Sequence, residues 1–347
     1  MKTSNKKGLN KIGKIFISII LLLVLMIGIA TVVVVAQSSK IKKDSAKPPQ
    51  QLSSWMGMIE DDAKITQIAI PGSHDSGTYG MHYTAETQDC SFAEQLERGV
   101  RYFDVRVNYV NDDYVIFHGP VNGAKYSQVL DDIKVFLDEN PSEFLILDYQ
   151  KFKNNSQNNV FDMLENAVGS NRLVSNDTNL SDSEFVENLT LADVRGKCIV
   201  VSGIDYDKPY VFDRGDGEVK GTALCSYYNG MEHRGNRIDF IEKTLPSYID
   251  RFEEEGTGIF ILQGQLTDLI LVRGPRFLEA AHSESMNDYV KGLRENEQYD
   301  KINVIMRDFV TSYTSALTLS LNIYKDLVKE EYKDDYNKFL LDTNYES

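Results

Sequence analysis

Beyond residue 54 the chain keeps repeating a pattern that few architectures can satisfy: a short apolar run, then an amphipathic stretch. A strand buried on both faces reads as a continuous apolar run, whereas a helix laid on a sheet shows a period of about 3.6 residues. Their alternation predicts βα units and a mainly parallel sheet. Strands are expected at 65–70, 102–107, 114–118, 144–149, 197–202, 223–227, 258–262 and 303–309, and eight of them suggest a barrel. Helical spacing occurs at 91–98, 127–140, 158–168, 239–254, 284–295 and 315–329, which is short of eight helices and points to irregular closure. Residues 154–182, rich in Asn, Ser and Asp, read as a surface excursion.

Several of these runs end in an ionisable residue. The first is followed by His74 and Asp75, the second ends Asp104-Val105-Arg106, the third ends at His118, and the last carries Arg307-Asp308. In a βα barrel the C-terminal ends of different strands converge on one face, where such folds do chemistry. One site with two imidazoles, a guanidinium and several carboxylates is therefore expected. Two imidazoles can act as base and acid, and an arginine between them can hold a phosphoryl oxygen. Carboxylates behind the histidines would fix tautomer and orientation. A lone histidine at a strand end is more often a satisfied loop or core residue, so the joint arrangement carries the reading. His82, His233 and His282 follow no apolar run and are expected at the surface.

The N-terminal region differs. Residues 15–36 are apolar apart from Ser18, Gly28 and Thr31, and Lys2, Lys6, Lys7, Lys11 and Lys14 precede them. Length and charge predict a transmembrane anchor at 15–36 behind a basic cytoplasmic segment at 1–14, with the rest exported. A cleaved signal peptide is the alternative. Residues 37–54 read as a solvated linker, and the catalytic body is expected to occupy 55–347. Past residue 43 only 29 of the 37 basic side chains remain against all 52 acidic ones, a poor footprint for nucleic-acid binding. Cys90, Cys198 and Cys225 show neither disulfide nor zinc-site spacing.

Three blocks carry a family resemblance: Ile70-Pro71-Gly72-Ser73-His74-Asp75-Ser76-Gly77-Thr78, Gly99-Val100-Arg101-Tyr102-Phe103-Asp104-Val105-Arg106, and Phe117-His118-Gly119-Pro120. Together they resemble the X-domain signature of bacterial phosphatidylinositol-specific phospholipases C. Weaker echoes are Trp55-Met56, 140–143, 195–197 and 305–309. The resemblance implies an irregular (β/α)8, TIM-like barrel acting on an inositol phospholipid in a bilayer, with no obligate protein partner. It implies His74 as general base on the inositol 2-hydroxyl, His118 as general acid on the diacylglycerol oxygen, and Arg106 on the phosphate. Asp308 would pair with His74, Asp75 with His118, and Asp104 would support the basic centre. Lys151 and Tyr228 would border the head group, and Leu269, Ile270, Leu271 and Val272 would form a rim that enters the bilayer. The sequence departs from the family after the fifth strand, where a basic residue is replaced by Gly203 with Asp205 just beyond, an acidic group that can still accept from sugar hydroxyls.

The same resemblance implies that no metal or other cofactor is needed, because Arg106 stands where eukaryotic relatives use calcium. Two other functions compete: a metal-dependent phosphodiesterase for another phospholipid or a glycerophosphodiester, and a catalytically silent surface-binding barrel. Chelator sensitivity would distinguish the first, and the intact base and acid set argues against the second.

Overall fold

The computed structural model describes residues 11–38, 50–204, 206–215, 220–234, 236–267 and 274–342. Ten strands form one sheet: β1 (Ile70–Ser73), β2 (Tyr102–Val110), β3 (Asp113–His118), β4 (Val121–Lys125), β5 (Leu145–Lys153), β6 (Cys198–Ser202), β7 (Val211–Asp213), β8 (Leu224–Ser226), β9 (Ile259–Gln263) and β10 (Val304–Arg307). Eight of them run parallel in the order β7-β6-β5-β2-β1-β10-β9-β8 and curl into a nearly closed barrel. Among the described residues β7 and β8 do not pair as strands, and the seam is bridged by Ala223 N–H donating to the Asp213 carbonyl at 2.8 Å.

The barrel is the expected one, but its membership is not. The run 114–118 is no barrel strand; it folds back antiparallel on the extension of β2. Asn111 and Asp112 make the turn with φ of 52° and 60°, the left-handed pair that a two-residue hairpin loop demands. The missing eighth strand is β7, whose three residues are too few to register as a run. The first strand lies at Ile70–Ser73, later than its apolar run at 65–70. Gly72 is required there, since a Cβ would come within 2.9 Å of Val304 and 3.0 Å of Tyr102 across the barrel interior.

Alternation along each strand explains why the site sits at one end. Inward-facing Tyr102, Ile146, Ile199, Val201, Ile261, Val304 and Met306 share one buried apolar cluster. Outward-facing Phe103, Val105, Leu145 and Leu147 belong to a second cluster, with the surrounding helices. Followed upward, the inward face of β2 changes from Tyr102 to Asp104 to Arg106, and that of β5 from Ile146 to Asp148. Because side chains alternate with a period of two, a strand that is apolar below and charged above places all its charges in the mouth.

The N-terminal anchor reading is corrected. Among the described residues no helix is long and apolar enough to cross a membrane. The helix Lys11–Ser38 instead lies beside the helix Pro275–Glu295. An apolar run is necessary for a span but does not make one, and the export inferred from such a span loses that support.

Two of the three histidines expected at the surface are also corrected. His233 and His282 are both fully buried, and only His82 is exposed. His233 packs against Phe240 and Tyr248 and contacts the Gln265 carbonyl through Nδ1, while His282 contacts the Gly264 carbonyl. Burial drives both imidazoles down to about 4, so they are neutral near pH 7.

Candidate active site

His74 follows β1 directly. Its Nδ1–H donates to Asp308 Oδ1 at 2.7 Å, just past β10, a contact made possible because β1 and β10 are parallel neighbours in register at Ser73 and Arg307. Its Nε2 faces the mouth, 3.2 Å from Asp75 Oδ2 and 3.3 Å from the Arg106 guanidinium. Burial by itself would lower the His74 pKa, but Asp75 and Asp308 prevail and raise it to about 9. The second imidazole enters from the hairpin: His118 Nδ1–H donates to the Ala85 carbonyl at 2.8 Å, leaving Nε2 3.5 Å from Asp75 Oδ2. The ring centroids lie 6.5 Å apart at 72°, a gap that one tetrahedral group can bridge.

Arg106 holds the centre. Nη2 meets Asp104 Oδ2 at 2.7 Å and Nε meets Asp75 Oδ1 at 2.7 Å. Burial opposes the charge of Asp75, but Arg106, His74 and His118 outweigh it and hold the carboxyl below its ordinary value. Asp75 adopts φ 45°, an uncommon conformation for a residue with a Cβ, which costs about 1–3 kcal/mol and persists because the surrounding contacts impose it.

All six residues expected to do chemistry therefore meet at one mouth. Of the residues expected around the head group, Lys151 is exposed on β5 in register with Arg106. Tyr228 is half exposed beyond β8, with its ring centroid 4.6 Å from that of His233 and its hydroxyl 3.3 Å from Thr267. Asp205 and the rim residues Leu269, Ile270, Leu271 and Val272 lie outside the described residues.

His74, Asp75 and Asp104 offer ligand atoms within 4.8 Å of one another, a set that by composition could take a cation. The guanidinium of Arg106, however, already contacts both carboxylates. A second positive charge placed there would face it across a few ångströms in a poorly screened site.

Residues 62–203 match the family described as "Phosphatidylinositol-specific phospholipase C, X domain". The 1-phosphatidylinositol phosphodiesterase of Listeria monocytogenes is 33% identical over a 273-residue alignment that covers 75% of this chain and 82% of that protein. The chain belongs to the phosphatidylinositol-specific phospholipase C family. Among solved structures, the Listeria monocytogenes phosphatidylinositol-specific phospholipase C superposes with a TM-score of 0.64 at 23% identity, covering 78% of this chain and 98% of that one. A Staphylococcus aureus phosphatidylinositol-specific phospholipase C gives 0.56 at 18%, covering 75% and 91%. Both show the fold.

The mouth of this phospholipase C holds a second buried pair, Asp148 and Arg214, that the strand-end pattern does not single out. Asp148 on β5 is the register partner of Asp104, and it accepts from Tyr102 Oη at 2.6 Å and from Arg214 Nε at 2.9 Å. The signal for Asp148 was present, a carboxylate inside the apolar run 144–149. Arg214 follows the three-residue β7, and an unseen strand has no visible end.

Proposed function

We propose that this phospholipase C cleaves phosphatidylinositol, or a glycosylated derivative of it, by intramolecular attack. The inositol 2-hydroxyl loses its proton to His74 Nε2 as its oxygen bonds to phosphorus. The bond from phosphorus to the diacylglycerol oxygen breaks, and that oxygen takes a proton from His118. The products are diacylglycerol and inositol 1,2-cyclic phosphate; water then opens the cyclic ester slowly with the two roles exchanged. Arg106 neutralises the equatorial oxygens of the phosphoryl group, doing with a fixed guanidinium what a metal does elsewhere. Asp308 holds the His74 tautomer, Asp75 serves both imidazoles, and Asp104 fixes Arg106.

The observation that carries this reading is the pair of imidazoles, 6.5 Å apart, flanking a guanidinium clamped by two buried carboxylates. Around the phosphate, Arg214, Lys151 and Tyr228 are the groups offered to the inositol ring, two cations for its hydroxyls and one flat face. The working domain is taken to begin at Trp55, whose indole N–H is bonded to the Gly99 carbonyl at 3.0 Å under the barrel. Phosphorus NMR of the protein with phosphatidylinositol vesicles tests the reaction. A five-membered cyclic phosphate should accumulate before the monoester; absence of cleavage, or a monoester with no cyclic precursor, refutes the mechanism.

A further inference from the structure

His74 and Asp308 are each followed by a residue in the left-handed region, Asp75 at φ 45° and Phe309 at φ 47°. Neither is glycine, so each turn is held against a local preference. The same two residues of the loop between β1 and the helix Phe92–Glu97 grip both turns. Thr87 Oγ1 lies 3.2 Å from the His74 and Asp75 carbonyls, and the Thr87 carbonyl accepts from Phe309 N–H at 2.7 Å. Gln88 is fully buried. Its Nε2 donates to the His74 and Arg307 carbonyls, both at 3.0 Å, and its Oε1 accepts from Val310 N–H at 3.0 Å. The side-chain amide thus spans the gap between β1 and β10 just where His74 must meet Asp308.

Resting on the His74 role proposed above, we infer that Gln88 is a positioning residue for the reaction: its amide, with Thr87 beside it, sets the spacing of the His74–Asp308 pair. Among the described residues Gln88 makes no hydrogen bond to an imidazole or a carboxylate, and it acts through the two main-chain turns. The same loop reaches the second histidine through the Ala85 carbonyl, so one short segment orients both imidazoles. Arg276 anchors it from outside, reaching Glu86 at 3.3 Å and Asp89 at 3.2 Å on either side of the Thr87-Gln88 pair. Asp75, Asp104, Arg106 and Asp308 are the charged groups that face His74 directly.

Gln88→Met keeps length and apolar volume while removing all three bonds. In the full chain it is expected to lower the kcat reached above about pH 9, where His74 is neutral in both proteins, at least about tenfold with KM little changed, because a base displaced by a fraction of an ångström loses alignment before it loses binding. Nitrogen NMR of the substrate-free protein should show the His74 titration midpoint moving by about one unit toward the free value as the Asp308 contact loosens. That readout needs no turnover, so failure of the proposed reaction and failure of this inference are distinguishable. If Gln88→Met does not fold, Thr87→Val, which removes the hydroxyl contacts to the His74 and Asp75 carbonyls without adding charge, carries the same measurements. A folded variant with unchanged kcat and an unchanged His74 titration overturns the inference.

Discussion

Two arginines serve the two ends of β2, and their surroundings could hardly differ more. Arg101, below the barrel, is fully buried, and its guanidinium is spent on the protein itself: Glu143 at 2.9 Å and the carbonyls of Leu52, Ser53, Leu96 and Val100. Glu143 in turn accepts from Met56 N–H and Ser142 Oγ. Arg106, in the mouth, binds side chains only, and among the described residues its Nη1 makes no hydrogen bond. Its partner Asp75 has both oxygens buried without a well-aligned hydrogen bond, although they lie in ion-pair contact. Buried charge is costly wherever it occurs. At the bottom the cost is met by complete internal pairing, which locks the floor of the barrel. At the top the pairing is left incomplete beside two imidazoles, which is the condition for binding and changing a ligand.

The largest expected effect is on the mouth. His74→Ala should lower kcat/KM for phosphatidylinositol by about 10⁴-fold while the unfolding transition stays cooperative, since loss of a general base removes transition-state stabilisation and little packing. Near-wild-type turnover in this variant breaks the role assignment. The arginines provide the paired contrast. Arg101→Met should cost about 4 kcal/mol in denaturant unfolding, because Glu143 is left buried and unpaired. Arg106→Lys should instead lower kcat about 10³-fold, since a lysine cannot reproduce the fork across two carboxylates and a phosphate. If both variants lose mainly stability, the distinction between the two ends does not hold.

How much of this was legible depends on which physical signal each residue left. His74, Asp75, Asp104, Arg106, His118 and Asp308 were readable together because they close or follow different apolar runs, and strand ends of a barrel converge on one mouth; singly, each has an ordinary structural explanation. The barrel was readable because buried parallel strands announce themselves as runs. The hairpin β2–β3 was misassigned because Ile116 and Phe117 are as apolar as a barrel strand, and only the Asn111-Asp112 turn betrayed it. His233 and His282 were misplaced since imidazoles packed among aromatic rings leave no trace in their sequence neighbours. Gln88 was invisible for a deeper reason: its partners are main-chain atoms distant in sequence, and main-chain atoms carry no sequence.

A pH series sharpens the comparison with a smaller effect. The His74 pKa is raised from 6.5 to about 9 in the folded protein. Below pH 6.5 the imidazole is protonated in both folded and unfolded chains, and the favourable contacts with Asp75 and Asp308 contribute in full. As pH rises through about 9 the folded-state proton is lost and that contribution, about 3 kcal/mol, goes with it. The base requirement runs the other way, because the neutral imidazole accepts the inositol proton, so kcat/KM should climb over the same interval. Rate and stability are thus expected to move in opposite directions between pH 6.5 and 9. In His74→Asn the declining stability slope should vanish, whereas a decline that survives would place its source elsewhere.

The smallest effect expected is the one with the most to say about chemistry. His74, Asp75 and Asp104 are grouped as a cation site would be, yet Arg106 already supplies a permanent positive charge to both carboxylates. A divalent ion admitted to the same spot would face the guanidinium and would have to displace its contacts, whereas in a metal-dependent phosphodiesterase the ion is the principal electrophile. EDTA should therefore change the initial rate by less than about twofold, a change that removal of a catalytic ion would exceed by orders of magnitude. A collapse in rate that added calcium or zinc restores would show that Arg106 accompanies a metal instead of replacing one. In that event the mouth would differ from the floor by the ion it admits, and incomplete pairing around Asp75 would be a ligand set awaiting its cation.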